Sequence, residues 1–141
     1  MKADFIKFKI HDCSTTSASK QGICILLELQ NSGDQDVYVS RGVLMLDGFR
    51  SNKFSVIDTS SFAVEVPYIG KNVKYHPQSF ILKAHDTISN EVNLSDAYDF
   101  GATQENEEYK ISYESYALIC ADEQYADCIG KTLHDELLIN L

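Results

Sequence analysis

The stretch "FIKFKIHDCSTTSASKQGICILLELQ" (residues 5–30) places alternating apolar and polar residues on both sides of a polar loop. Before the loop, Ile6, Phe8 and Ile10 share one face of an extended chain and two lysines share the other. After the loop, an apolar residue recurs at every second position from 23 to 29. Such period-two alternation, bounded by turn residues, is typical of half-buried strands. We therefore predict that the two segments form a hairpin.

The rest of the chain repeats this pattern in short segments. Turn chemistry is strongest in "NSGDQD" (residues 31–36), because Asn, Asp and Gly tolerate positive φ and form local side-chain hydrogen bonds. Many short strands predict an all-β sandwich or barrel, and a length of 141 residues predicts one domain, residues 1–141. The further segments predicted as strands are "VYVSRG", "VLML", "KFSVID", "AVEVPYI", "SFILKA", "TISNEVNL", "EYKISYESYALI" and "ELLINL".

One segment, "NLSDAYDFG" (residues 93–101), departs from the alternation. Ser95 or Asp96 is a good N-cap, but the apolar run that follows is too short for a stable helix, so we predict a single helical turn. Tyr98 in this segment has two interpretations. Its hydroxyl pins a corner turn, as in Greek-key sandwiches, or its ring simply packs.

The charge and hydropathy of the chain exclude some classes of partner. There are 21 acidic and 12 basic residues, a net charge of -9, and the basic residues are scattered along the sequence. This disfavours binding to nucleic acid, which requires a basic patch to neutralise phosphates. The longest apolar runs are far shorter than the roughly 18 residues of a membrane span. The N-terminus "MKADFIKFKIHD" shows no secretory signal, so we expect either no export by that route or a signal already removed.

Four cysteines, Cys13, Cys24, Cys120 and Cys128, form two local pairs at opposite ends of the sequence. Three disulfide connectivities are possible, and in an oxidising compartment the local solution would staple a hairpin at each end. The alternative is four free thiols, with Cys24 a small core residue. No spacing is C-x-x-C, which disfavours a zinc knuckle or a thioredoxin-type motif.

Signatures of catalysis are missing from the sequence. It contains no H-E-x-x-H, G-x-S-x-G, P-loop or G-x-G-x-x-G motif, and "HDELL" at residues 134–138 lacks the second histidine ligand of a zinc site. We therefore predict a protein that is not an enzyme and has no cofactor or metal.

Eight tyrosines and no tryptophan leave open an aromatic platform for carbohydrate. The alternative is that these tyrosines are core or half-exposed strand residues. Asn93 begins an N-glycosylation sequon, which has meaning only in a eukaryotic secretory pathway. The tyrosines considered for the platform are Tyr68, Tyr75, Tyr113, Tyr116 and Tyr125.

Three stretches in the middle of the chain carry a family resemblance: "LELQNSGDQDVYVSRGVLMLDG", "VPYIGKNVKYHPQSFILKAHDTISNEVNLSDAYDF" and "YKISYES". In order and with similar spacing, they resemble the non-catalytic N-terminal domain of deuterolysin-like and peptidyl-Lys metalloendopeptidases, the aspzincins. The resemblance covers roughly residues 20–116, and "ELLINL" suits the closing strand. The positions that match the family's motifs are Val66, Tyr68, Gly70, Val73, Lys74, Leu94, Ala97, Tyr98, Asp99, Tyr109, Ile111 and Tyr113.

The resemblance implies an immunoglobulin-like antiparallel β-sandwich with about seven to nine strands and at most one short helical turn. In the family this domain acts as a propeptide that helps folding and holds the protease inactive. Since the zinc-binding motif is missing here, the resemblance implies a non-enzymatic protein-interaction module that binds or inhibits a zinc metallopeptidase through sheet edges and loops. Together with the paired cysteines, it favours a secreted or periplasmic location.

Two features depart from the family pattern: the four cysteines and the insertion "ICADEQYADCIG" (residues 119–130). They leave room for an altered partner. A separate, alternative function is a secreted or surface recognition protein that binds a glycan or a host protein through its Tyr-rich loops.

The stretch "EVPYIGKNVKYHP" (residues 65–77) combines aromatic, basic and apolar residues around one glycine. We predict partner contacts here from Tyr68, Lys74, Tyr75 and His76. A plainer account is also open, in which a strand, a turn permitted by glycine and a second strand follow one another until a proline ends the pairing.

Overall fold

Eight β-strands and two 3-10 turns make up the regular structure of the described part of the chain. The structure is a computed structural model and describes residues 4–14, 22–59, 63–74, 78–100, 108–125 and 127–140. The strands are β1 (Ile6–Asp12), β2 (Cys24–Asn31), β3 (Val37–Ser40), β4 (Phe54–Asp58), β5 (Ser79–Leu82), β6 (Thr87–Asn93), β7 (Glu108–Cys120) and β8 (Cys128–Asn140). The 3-10 turns are Arg41–Leu44 and Leu94–Asp96.

The predicted first hairpin is confirmed, and it forms most of a three-stranded sheet in the order β1-β2-β6. β1 and β2 pair antiparallel, from Ile6 opposite Asn31 to Asp12 opposite Ile25. Ile6 and Ile10 are buried while the alternate lysines are exposed, as the period-two pattern requires.

The second sheet is built around β7. β8 pairs with the full length of β7 on one side, while β3 and β4 follow one another along its other side and β5 pairs with β3. This five-stranded sheet and the three-stranded sheet β1-β2-β6 are both antiparallel and contribute to one core, so the predicted all-β sandwich is confirmed. The largest side chains fully buried in this structure are Tyr113, Ile6, Ile23, Ile25, Leu27, Leu29, Leu44, Leu82, Leu94, Ile111, Ile119 and Ile139.

One side of the sandwich is closed by side chains of β8 that reach the edge of β1. The Ile10 N–H donates to Asp135 Oδ2 at 2.9 Å, and Lys131 Nζ donates to the Ile6 carbonyl at 3.0 Å. The unpaired N–H and C=O groups of an edge strand can pair with a strand of another chain. In β1, the charged side chains of Asp135 and Lys131 bond two of these groups instead.

Two strand predictions are wrong. "VLML" does not form a strand, because Val43, Leu44 and Met45 are buried in succession, which a half-buried strand does not allow. They belong to the turn Arg41–Leu44 and its end, so the described residues contain two named 3-10 turns, where at most one short helical turn was predicted. "AVEVPYI" contributes only isolated bridges, Ile57 with Glu65 and Tyr68 with Tyr98.

The cysteines form the two local disulfides, Cys13–Cys24 and Cys120–Cys128. The first joins β2 to the residue after β1, and the second joins the ends of β7 and β8 that meet at their turn. The local-pairing interpretation is therefore confirmed, and the alternative of four free thiols is wrong.

Candidate functional site

β7 is left open along one edge in its middle section. On the side away from β8, β4 pairs with residues 109–113 and β3 with residues 119–120. No strand from the described residues lies opposite residues 114–118 on that side. The interruption arises because residues 41–53, which separate β3 from β4, leave the sheet as a 3-10 turn and a loop.

The main chain of this open section has defined directions. The Glu114 N–H donates to the Lys53 carbonyl at 3.0 Å, and the Leu118 N–H donates to Ser40 Oγ at 3.2 Å. Alternate residues of a strand direct their N–H and C=O groups to the same edge, so those of Tyr116 lie between the two. The open edge is therefore centred on Tyr116.

A cleft of about 230 Å³ lies beside this edge, and we name it the Tyr116 cleft. Tyr116 is 67% exposed, and its ring lies across Gly130 of β8. A shallower hollow of about 480 Å³ adjoins the cleft and shares Asn52, Lys53 and Tyr116 with it. The cleft is lined by Ser40, Gly42, Val43, Met45, Asp47, Gly48, Arg50, Asn52, Lys53, Val73, Lys74 and Tyr116.

Two basic side chains of the cleft are held in place by neutral acceptors. Arg50 Nη1 donates to the Val73 carbonyl at 2.9 Å, and Lys53 Nζ donates to Ser115 Oγ at 2.7 Å. Partial burial, and then the nearby charge of Arg50, lower the pKa of the Lys53 ammonium below its usual value. A third basic residue, Lys74, lines the cleft and is exposed.

The contact between Lys53 and Ser115 resembles the Ser-Lys pairs of some hydrolases, in which an amine activates a hydroxyl. A nucleophile must be reachable by a substrate carbonyl, but Ser115 is only 2% exposed. Its residue also lies on the inward-facing side of β7, the side of Tyr113 and Ala117. The contact therefore satisfies a buried hydroxyl and does not form a reactive pair.

Residues 66–74 and 97–99, which belong to the longest stretch quoted for the expected family resemblance, meet in space. The N–H groups of Ile69 and Gly70 donate to the Ala97 carbonyl at 2.8 and 3.1 Å. The Val73 N–H donates to the Phe49 carbonyl at 3.0 Å, which ties the same segment to the loop after the first 3-10 turn. Residues 66–74 are thus fixed against residues 97–99 on one side and residues 48–51 on the other.

The predicted contact residues are not gathered at one place. Lys74 lies in the Tyr116 cleft, whereas Tyr68 does not line it. The Tyr68 hydroxyl donates to the Lys71 carbonyl at 3.0 Å, and its ring packs edge-on against Tyr98 at 5.2 Å. Tyr75 and His76 lie outside the described residues.

Among the tyrosines considered for a glycan platform, Tyr113 is excluded because its side chain is buried in the core. Tyr116 and Tyr125 are exposed. Arg50 and Lys53, which line the cleft, were not predicted as site residues from the sequence. One signal in the sequence could have found the site. The alternation in β7 places Tyr116, an aromatic residue, on the same solvated face as polar Ser112 and Glu114.

Metal ligation receives no support from the cysteines. Among the described residues, the sulfurs of Cys13 and Cys24 and a carboxylate oxygen of Glu91 lie within 4.8 Å of one another. Both sulfurs are joined in a disulfide, so neither is a thiolate that would bind a metal.

No helix in the described part of the chain is long and apolar enough to cross a membrane. Compared with known proteins, the chain matches neither a protein family nor a curated protein sequence.

Proposed function

We propose that the protein is a non-enzymatic binding module that takes up an extended segment of a partner protein in the Tyr116 cleft. The observation that carries this proposal is the open edge of β7 at residues 114–118, which forms one side of a cleft. Extended peptides bind open sheet edges by adding a strand, with main-chain hydrogen bonds for affinity and neighbouring pockets for specificity. The Tyr116 main chain supplies the hydrogen-bonding groups and its exposed ring supplies apolar contact area.

The preformed geometry of the cleft favours such binding. The flanking N–H groups of Glu114 and Leu118 are already bonded on this edge, and β8 pairs with the same section along its other edge, so the section is held extended. An ordered edge loses less conformational entropy on binding than a flexible loop does.

The specific partner that we propose is a zinc metalloendopeptidase of the deuterolysin type. This part of the proposal is supported by the sequence resemblance to the propeptide domain of such enzymes. The test is to mix the protein with a deuterolysin-type protease, pass the mixture over a size-exclusion column and assay hydrolysis. We expect a complex and reduced cleavage. Separate elution of the two proteins with undiminished cleavage would show that this proposed partner is wrong.

A selection of random linear peptides tests the binding function without presupposing the partner. Wild-type protein should enrich peptides that lose binding in Tyr116→Ala. Leu138→Ala is the matched control, because Leu138 is 58% exposed on the same outer face but does not line the cleft. If no enriched peptide distinguishes Tyr116→Ala from Leu138→Ala, the proposed site is wrong.

A glycan is the second candidate ligand, and the exposed ring of Tyr116 is the observation that favours it. A glycan array probed with wild-type protein and Tyr116→Ala separates the two functions. A hit that disappears in the variant, without any selected peptide, would assign the cleft to carbohydrate.

A further inference from the structure

The charge of the protein is unevenly distributed around the Tyr116 cleft. Residues 41–74 contain five basic and three acidic residues, although the whole chain has a net charge of -9. Of the three acidic residues, Asp47 is paired with Arg41, whose Nη2 lies 3.1 Å from Asp47 Oδ1. The remaining ionised side chains in the cleft lining are basic: Arg50, Lys53 and Lys74.

These basic groups keep donors available for a ligand. Arg50 uses one guanidinium nitrogen for the Val73 carbonyl, and a guanidinium has five N–H donors in total. Lys53 uses one contact for Ser115, and an ammonium has three donors. Because both side chains are fixed by hydrogen bonds, little further side-chain entropy is lost when an anion binds.

Among the described residues, no carboxylate forms an ion pair with Lys53. Its pKa is lowered first by burial and then by Arg50, so its charged form is destabilised in the free protein. An anion placed between the two basic groups would offset both effects.

The adjoining hollow differs from the cleft in its ionisable side chains. Glu114 and His134 line the hollow and do not line the cleft, whereas Lys53 lines both. A ligand that extends from the cleft into the hollow therefore meets a carboxylate there, which favours placing its negative charge in the cleft.

We propose that the segment bound in the Tyr116 cleft is acidic, with an Asp or Glu carboxylate held by Arg50, Lys53 and Lys74. The inference rests on the proposed function and names the chemistry of the partner: an extended acidic segment of a separate protein. Strand addition to β7 would hold the main chain, and the basic groups would select the side chain.

The test uses the same random peptide selection, read by composition. Peptides selected by wild-type protein in a Tyr116-dependent way should be enriched in Asp and Glu, and a synthetic selected peptide should bind more weakly when its acidic residue is replaced by the corresponding amide. Tyr116-dependent peptides without acidic enrichment would overturn the inference while leaving the proposed function intact. If no Tyr116-dependent peptide is selected at all, both the acidic-segment inference and the proposed binding function are wrong.

Two lysines of one segment provide a matched pair. Lys71 and Lys74 are both exposed, but only Lys74 lines the cleft. Lys74→Met should weaken binding of the acidic peptide by about twofold to fivefold, the range for an exposed ion pair. Lys53→Met should weaken it by about tenfold or more, because a partly buried charged hydrogen bond is lost. Equal effects of Lys71→Met and Lys74→Met would contradict the assignment.

Sedimentation of the free protein tests a competing occupant. The chain itself is acidic outside residues 41–74, so a second copy also has carboxylates to offer. A concentration-dependent dimer that dissociates in Lys74→Met would assign the cleft to self-association and overturn the proposal. We expect both wild-type protein and Lys74→Met to be monomeric.

Discussion

The hydroxyl of Tyr98 donates a 3.0 Å hydrogen bond to the carbonyl of Phe54. Tyr98 follows the 3-10 turn at the end of β6, and Phe54 is the first residue of β4, so the bond links the two sheets. The interpretation that the ring of Tyr98 packs in the core is confirmed, because the residue is buried. The partner of its hydroxyl lies 44 residues away, so the bond does not pin the turn in which Tyr98 lies, and the corner-turn interpretation is wrong.

Replacing this hydroxyl should destabilise the fold. Tyr98→Phe leaves the buried Phe54 carbonyl without that donor, and we expect the free energy of unfolding to fall by about 1–3 kcal/mol. Tyr116→Phe is the control, since its exposed ring should change stability by less than about 0.5 kcal/mol. Urea unfolding followed by circular dichroism measures both, and equal stabilities would show that the bond contributes nothing.

Alkaline pH should lower the free energy of unfolding, because the protein has buried tyrosines. Burial is the largest cause that raises the pKa of Tyr98 and of Tyr113 above the usual 10.0. As pH rises above about 10, the unfolded chain loses these protons while the folded protein keeps them, so the stability present below that pH is progressively lost. Lys53 acts in the opposite direction, because its pKa is lowered on folding. Comparing the unfolding midpoint of wild type and Tyr98→Phe between about pH 9 and 11 isolates the tyrosine, and the variant should show the shallower decline. Identical slopes would refute this origin.

Gly70 should not tolerate a side chain. A Cβ at this position would lie 2.9 Å from the Ala97 Cβ and 3.1 Å from the Tyr68 hydroxyl. Gly70→Ala should therefore lower the free energy of unfolding by about 1–3 kcal/mol, the range for overpacking. Gly42→Ala is the matched control, because a Cβ there meets no atom within 4 Å. Thermal unfolding compares them, and a wild-type melting temperature for Gly70→Ala would contradict the packing described.

The two disulfides should contribute similarly to stability. They join residues separated by 11 and 8 positions, and loops of this size correspond to about 2–3 kcal/mol each in the chain-entropy account. The double variants Cys13→Ala/Cys24→Ala and Cys120→Ala/Cys128→Ala should therefore show nearly equal losses in urea unfolding. Alkylation of the native protein before and after reduction provides the check on the bonds themselves. A native protein that is alkylated without reductant would contradict the pairing.

Most strands were predictable because each has one buried and one solvated face, so apolar and polar residues alternate along the sequence. β1, β2 and β7 show this pattern plainly, and the buried faces match it. "VLML" was misassigned because a short apolar run has no periodicity, and only its successive burial in the structure identifies a turn. The disulfide pairing was open in the sequence because it depends on which strand ends meet.

The Tyr116 cleft was not predictable in the same way. It depends on the absence of a strand beside residues 114–118, and that absence is produced by residues 41–53, more than 60 positions earlier. Arg50 and Lys53 look like ordinary surface residues in the sequence and become neighbours of Tyr116 only through this long-range contact. Lys74 was predicted as a contact residue from the composition of residues 65–77, and the structure shows that it lines the cleft.

Hydrogen exchange of the Tyr116 amide reports on strand addition at the open edge of β7. In the free protein, this amide should exchange faster than those of Glu114 and Leu118, which are bonded on the same edge. Adding a peptide selected for Tyr116-dependent binding should slow the exchange of Tyr116 markedly. A Tyr116 amide that is already as slow as its two neighbours in the free protein, or that is unchanged in the complex, would contradict strand addition at this edge.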